Sequence, residues 1–442
     1  MSSEEVGVGV LSLHNSKETK AILNAVEALG HEPQWYREEN TVVDIVDGRV
    51  ELDPDVDVVL NRLLLSNTEQ PSELLGLATT FARLKPMLNS PESVLTAVHK
   101  FSTAAALVDA GIRVPDALLA LDADPLNARR ERFGESVVYK TAIGTHGGGT
   151  WKLGPEDQVN PQVGGRYAFL QEYLDDADTK RDLRVYVVGD TVVGAMYRYA
   201  PDHDWRTNVA LGGQVEPADD LPAEAERFAL EAADAVELDY AGVDLVEGPD
   251  GWYVLEVNPT AGFKGLFEAT GVSPAPYIAK LGIERAGGSV DDDRVRELAA
   301  TLDDSRPDCA PTPSSPVSGE RTIGYTEEVM VSGTAGTEQV VAKSDTGASR
   351  TSIDTSLAAR IGAGPIKSMT TVRSGSVKSG KSRPVIDIVV GVGGDRHTVS
   401  ASLEDRSHMN YPLLLGRDIL KHYQVDVSRR TEDDEEDTEE EE

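Results

Sequence analysis

The chain has 442 residues, 40% of them apolar, with 40 glycines and a formal net charge of -34. At about 150 residues per domain this is material for roughly three domains, and the apolar share excludes a wholly disordered or fibrous chain. The negative charge argues against nucleic acid or anionic lipid as a direct partner, because no basic patch is visible to offset it.

Ten acids fall within residues 431–442 and the remaining excess is spread along the chain, the pattern of a halophile-type surface. No apolar run approaches the roughly 18 residues of a membrane span, and the opening Met1-Ser-Ser-Glu-Glu lacks signal-peptide character. A cytoplasmic location without membrane contact is therefore expected. Cys309 stands alone, which rules out an internal disulfide and multi-cysteine metal sites.

In chain order, Val6 to Leu13 reads as a strand and Lys17 to Leu29 as a helix, with further strands at Thr41–Val46 and Val56–Leu60. Residues 1–95 thus read as a small α/β domain with a parallel sheet. One helix is expected from Pro91 through Lys100 to Ala110, followed by mixed strands and helices to 287. The Pro- and Ser-rich stretch 288–321 reads as an extended linker. Short β-type runs punctuated by Gly and Ser over 322–430 predict a mostly β domain, and 431–442 is an acidic tail without a folding signal.

The most informative segment is Ala241 to Pro259. Two alternating runs flank Gly248-Pro-Asp-Gly251, a hairpin signal, and a turn centred near 250 places Asp244 opposite Glu256 with Asn258 two residues on along the same face. Like charges directly opposite destabilise a strand pair unless a cation neutralises them. Two acids and an amide suit Mg2+ or Mn2+ completed by phosphate oxygens, although spacing alone fits a solvated acidic face equally well. Upstream, the strand Val137 to Lys140 precedes a glycine-rich loop able to close over phosphates, and Glu172 ends another strand. Lys180-Arg-Asp-Leu-Arg184 and Trp205-Arg-Thr-Asn208 add arginines suited to phosphate or carboxylate.

The order of these elements resembles the ATP-grasp fold and, more narrowly, the RimK-type glutamate ligases, over roughly residues 5–285. The resemblance implies nucleotide contacts at Lys100, Lys140, Glu172, Tyr173 and Asp182, and a polar clamp near the phosphates at Arg206, Thr207 and Asn208, with Arg206 catalytic. It further implies metal ligands at Asp244, Glu256 and Asn258, ATP with two Mg2+ or Mn2+ ions, and an acylphosphate captured by an amine. The amine donor in such enzymes is typically glutamate, its carboxylate falling to Arg184, Arg198 or Arg206. The acceptor is a carboxylate, either a protein C-terminus of the ribosomal-protein type or, alternatively, a coenzyme. His99 departs from the family, which usually has an acid there.

In the C-terminal part, Asp345-Thr-Gly-Ala348 follows a strand, and Leu413-Leu-Leu-Gly-Arg417 lies some seventy residues on. Together they resemble half-sized retropepsin-type aspartic proteases, which implies that Asp345 is catalytic. Acid chemistry of this kind needs two carboxylates sharing a proton, so a twofold homo-oligomer is expected. Domains of this type beside RimK-type ligases have been called zinc proteases, yet His397, His408 and His422 lack zinc-ligand spacing. The expected fold is therefore α/β, pre-ATP-grasp (1–95) plus ATP-grasp (96–287), followed by a retropepsin-like β domain that trims the product or serves only for dimerisation or binding.

Overall fold

The computed structural model describes residues 5–67, 71–144, 149–163, 166–174, 181–201, 205–207, 214–311, 321–372 and 381–431. The chain divides into two compact units, 1–311 and 312–442.

The first unit opens with β1 (Gly7–Leu11), α1 (Lys17–Ala28), β2 (Glu32–Tyr36), β3 (Val42–Val46), β4 (Arg49–Asp53), β5 (Val58–Asn61), α2 (Pro71–Leu84) and β6 (Met87–Leu88). β1, β2, β5 and β6 form the expected parallel sheet, in the order β2-β1-β5-β6. The Thr41–Val46 strand is not part of it: β3 pairs only with β4 in a separate antiparallel hairpin, where Ile45, Val46 and Val50 are exposed. Ser16 begins α1 by accepting a hydrogen bond from the Thr19 amide at 3.0 Å, and Ile22, Leu23 and Val26 give the helix a buried face.

The expected single helix over 91–110 is two: α3 (Pro91–Val98) and α4 (Lys100–Asp109), broken where His99 turns extended at φ -92° and ψ 92°. The His99 ring accepts from the Ser102 amide at 3.1 Å and so caps α4, the work an acid commonly does at such a position. The break puts Lys100 at a helix start, and the Lys100 amide donates to the Ala142 carbonyl at 2.8 Å.

There follow β7 (Ala117–Leu118), α5 (Ala123–Ala128), β8 (Val137–Thr141), β9 (Thr150–Leu153), β10 (Gln162–Val163) and β11 (Arg166–Glu172). β7 to β11 make a small antiparallel sheet over a core of its own, containing Leu118, Leu126, Phe133, Tyr139 and Leu170. A second antiparallel sheet, β14-β13-β12-β15-β16, is built from β12 (Arg181–Val188), β13 (Thr191–Tyr199), β14 (Gln214–Pro217), β15 (Tyr240–Gly248) and β16 (Gly251–Asn258). Helix α6 (Ala223–Ala235) covers it, and α7 (Lys264–Thr270), α8 (Ala275–Arg285) and α9 (Asp292–Ala299) complete the unit.

The regions 1–95 and 96–287 are not separately cored. Val8, Val58 and Leu60 share one buried cluster with Tyr186, Tyr240, Ile278 and Ile283. The stretch read as an extended linker is partly helical, since Asp291 caps α9 and the first unit continues to Pro311; the turnover comes from Val295 and Ala299, which are buried. Cys309 packs against the same cluster, and burial pushes its thiol up to about 11, which keeps it a neutral, unreactive group.

The second unit contains β17 (Thr322–Gly324), β18 (Thr326–Ser332), β19 (Thr337–Ser344), β20 (Ser352–Asp354), α10 (Thr355–Ile361), β21 (Ser368–Val372), β22 (Lys381–Val392), β23 (Asp395–Glu404), β24 (Leu413–Leu415), α11 (Arg417–Leu420) and β25 (Gln424–Asp426). The order β18-β19-β24-β20-β23-β22 closes on itself through β18–β22 pairing, which removes open edges, and β21 hangs on β22. Ile353, Leu357, Ile388, Val390, Leu413 and Leu415 fill the interior.

Asp354 ties this unit together. Its carboxylate caps α10 through the Ser356 and Leu357 amides and also accepts from the Arg406 amide at 2.8 Å. Burial raises the Asp354 pKa, but these amide bonds outweigh it and hold the group below its ordinary value. A depressed folded pKa stabilises at neutral pH, and that contribution is lost as pH falls through the carboxylate range. Asp354→Ala is expected to destabilise the second unit by about 1–2 kcal/mol at neutral pH, with the gap to the parent narrowing in acid; denaturant melts at two pH values check this.

Candidate functional site

The expected pairing is present, but the turn alone does not set it: Gly248 pairs with Gly251, and the extra residue Leu255 on β16 moves the register by one before Asp244. Asp244 lies opposite Glu256, and Gly242 opposite Asn258, with a shift between Asp244 and Leu245. Gly242 is required for close approach: a Cβ there would meet the Ala261 Cβ at 2.5 Å and push away the loop that follows Asn258.

The two acids carry different partners. Glu256 accepts from Lys100 Nζ at 2.6 Å and remains partly exposed. Asp244 is buried and is gripped bidentately by Arg184 at 2.6 and 2.7 Å, with Arg198 2.9 Å from Oδ2, the oxygen that also accepts from Arg184 Nη2. Arg198 also grips Asp182, which accepts from the Thr207 hydroxyl as well. Burial pushes Asp244 up, but the Arg184 and Arg198 charges prevail and hold it well below the usual carboxylate range. On β8, burial pulls Lys140 down to about 8; the Lys100 charge adds to that, while Glu256 and Asp244 oppose it. Four cations therefore converge on two facing carboxylates.

The remaining expected residues are placed as follows. Glu172 ends β11, where its carboxylate accepts from the Asp116 amide at 3.3 Å. The Tyr173 ring lies under Lys152 Nζ at 3.5 Å and edge-on to Trp205 at 5.9 Å. Arg206 is half-buried beside Thr207, while Asn208 and the glycine loop 145–148 lie outside the described residues. Asn258 Oδ1 accepts from the Thr260 amide at 2.9 Å. Asp182 is thus an ion-pair partner held within the sheet, and Arg184 and Arg198, expected to take a substrate carboxylate, are occupied by protein carboxylates. Lys152 was not singled out by sequence, because a lysine on an outer strand has no spacing signature.

The donor set fits a divalent cation. Among the described residues no cluster of three His, Cys, Asp or Glu side chains exists, so Glu256, Asp244 and the Asn258 amide would hold such an ion only with ligand oxygens completing the shell. Bound there, the ion would neutralise phosphate charge. Lys100 and Lys140 present ammonium groups to the same place.

In the second unit, Asp345 occupies the turn after β19. Its carboxylate accepts from the Gly347 amide at 2.9 Å, and the Asp345 amide donates to the Leu415 carbonyl at 2.9 Å. Gly416 permits this crossing, since a Cβ would lie 2.4 Å from the Arg350 backbone. The two motifs are thus neighbours in space. His397 and His422, far apart in sequence, stack at 5.2 Å, with His397 bonded to the Tyr423 hydroxyl.

The fold and the cluster of lysines, acids and amide define an ATP-grasp ligase. Residues 97–281 match the RimK-like ATP-grasp domain, and residues 363–436, beginning after Asp345, match the retropepsin-like aspartic endopeptidase RimB. The chain is 33% identical over 202 residues to a tetrahydromethanopterin:alpha-L-glutamate ligase of Methanocaldococcus jannaschii, covering 44% of this chain and 68% of that protein. It is 33% identical over 228 residues to a probable alpha-L-glutamate ligase of Xanthomonas campestris pv. campestris, covering 50% and 77%. Among solved structures, the ATP-grasp ligase PsnB with a phosphomimetic variant of its minimal precursor, Mg and ADP shares the fold, with a TM-score of 0.51 and 21% identity over 63% of this chain and 98% of that one. The chain belongs to the RimK-like ATP-grasp family, and its first unit is that of an ATP-dependent ligase. No helix among the described residues is long and apolar enough to cross a membrane.

Glu256→Gln is expected to keep the hairpin register, which the turn and strand cores set, while lowering metal-dependent ATP turnover by about a hundred-fold or more. ADP release by the folded variant, with circular dichroism as the control for folding, checks this.

Proposed function

We propose that the protein adds L-glutamate to a carboxylate acceptor at the expense of ATP, with Mg2+ or Mn2+ held by Asp244, Glu256 and Asn258. The convergence of Lys100, Lys140 and the facing acids is the observation that carries this reading, because it suits transfer of a phosphoryl group to an acceptor carboxylate. The activated acyl group is then open to attack by an amine, with phosphate leaving and an amide bond forming. Lys100 and Lys140 bind the nucleotide phosphates and are joined by Glu172 and Tyr173, which frame the nucleotide, while Asp182 positions Arg198 and Thr207 beside it. Arg206, Thr207 and Asn208 form the clamp beside the phosphates.

A protein C-terminus is the acceptor we favour, because a peptidase-like domain on the same chain suits a peptide product. A coenzyme acceptor is the second reading, supported by the name of the methanogen relative, which acts on tetrahydromethanopterin. Incubating the full chain with ATP, Mg2+ and single amino acids, together with cellular protein or a cofactor extract, separates the two. Mass increments of one glutamate residue on proteins support the first, increments on small molecules support the second, and ADP release with no amino acid above background counts against both.

For the second unit we propose hydrolysis of the product by paired Asp345 groups. One Asp345 per chain makes a shared-proton pair only across a twofold dimer. Asp345→Asn is expected to abolish hydrolysis of a polyglutamate-ended peptide without changing ADP release; peptide mass spectra check this. Retained hydrolysis assigns the unit to binding or dimerisation.

A further inference from the structure

A buried asparagine outside the cluster of lysines and acids reaches the turn that carries Asn258. Asn89 directly follows β6, is fully buried, and holds a left-handed backbone at φ 57°, a conformation that asparagine tolerates better than most side chains. Every polar group of this residue is spent. Its amide donates to Asp239 Oδ2 at 2.7 Å, and its carbonyl accepts from Asn61 Nδ2 at 3.1 Å. The side chain pairs with both backbone groups of Tyr240, the first residue of β15: Oδ1 accepts from the Tyr240 amide at 3.1 Å, and Nδ2 donates to the Tyr240 carbonyl at 2.9 Å. That pairing fixes which end of the Asn89 amide is the nitrogen. Nδ2 also donates to the Pro259 carbonyl at 3.3 Å.

The Pro259 carbonyl and the Thr260 amide belong to one peptide group, and in a trans peptide the two point in opposite directions. On the far edge of that group the Thr260 amide donates to Asn258 Oδ1 at 2.9 Å. A relay therefore runs from Asn89 Nδ2 through the Pro259–Thr260 peptide to the Asn258 side chain. It acts on the orientation of an amide whose two ends are alike in shape and opposite in polarity. With the Thr260 hydrogen aimed at it, Asn258 turns its oxygen to the peptide, and that oxygen keeps a second lone pair for a cation. Were the peptide rotated, the Pro259 carbonyl would face Asn258 and draw its nitrogen, a poor ligand for a hard cation.

We infer that Asn89 is a positioning residue that holds the oxygen end of the Asn258 amide ready for the metal ion. Its own hold is firm, because Asp239, Asn61 and Tyr240 fix it from three separate segments of the chain. The lysine arm of the cluster does not depend on the relay. Ser90 caps α3 by accepting from the Ser93 amide at 3.1 Å, and the Lys100 amide is held by the Ala142 carbonyl. The relay thus acts on one ligand. It stands on the hydrogen bonds described, whereas the ion at Asn258 rests on the function proposed above.

The test is electron paramagnetic resonance titration of Mn2+ into the full chain loaded with ADP, in two backgrounds. Asn89→Gly accepts the left-handed backbone and deletes the relay. In the parent background it is expected to weaken Mn2+ binding by about ten-fold or more, with metal-free ADP affinity unchanged. Asn258→Asp carries oxygen at both ends and has no orientation to lose, so in that background Asn89→Gly leaves Mn2+ affinity unchanged. A merely structural Asn89 lowers both alike, so equal losses in the two backgrounds overturn the inference, as does parent-like Mn2+ binding by Asn89→Gly. Thr260→Pro cuts the relay at its outer end with the buried bonds of Asn89 in place, and serves if the glycine variant does not fold. The same background-dependent loss is expected of it, and parent-like affinity overturns the inference. A parent that binds no Mn2+, or an Asn258→Ala protein that binds it as tightly as the parent, overturns the metal-ligand reading and the inference with it.

Discussion

Two carboxylates facing each other on adjacent strands set the terms for the first unit. Asp244 and Glu256 repel one another, and the repulsion is tolerable only because Lys100, Arg184 and Arg198 reach them from three separate elements. The surrounding architecture serves that balance. The break at His99 starts a helix at Lys100, the register of β12 against β15 sets Arg184 beside Asp244, and β13 brings Arg198 to both Asp182 and Asp244. The acids are also unequal. Asp244 is fixed within a buried network, whereas Glu256 pairs with Lys100 and stays partly exposed, so the more adaptable carboxylate is on β16.

How far the sequence discloses this depends on the kind of contact. The Gly-Pro-Asp-Gly turn made the hairpin legible but not its bulge: Gly248 pairs with Gly251, and the extra residue Leu255 is what brings Glu256 opposite Asp244. The two short motifs around Asp345 and Gly416 disclosed a resemblance, whereas their contact is visible only in the structure. Long-range ion pairing was not legible: nothing in the spacing of Arg184, Arg198 and Asp182 says that their charges are spent on one another. The helix break escaped notice because a histidine cap lacks the usual Ser, Thr, Asp or Asn signal, and α9 was hidden by the prolines that follow it.

The two units solve the problem of exposed strand edges differently. The second closes its sheet through β18–β22 pairing, whereas the parallel sheet of the first ends in the short strand β6. In the second, the Asp345 turn rests on the Leu415–Gly416 backbone, so the acid is held by main-chain bonds on a closed frame. That is a rigid mounting for the Asp345 carboxylate.

The small sheet β7–β11 has its own core, with eight buried residues, far fewer than the clusters beneath the rest of the first unit. Cooperative units with few buried contacts open at lower free energy than the molecule as a whole. Lys140 therefore resides on the layer that breathes first, while its electrostatic counterparts Glu256 and Asp244 sit on the layer that breathes last. Amide protons of β8 and β11 accordingly belong to a fast-exchanging population, those of β12 and β15 to a slow one, and a molecule bound to both layers would join the two into a single exchange class.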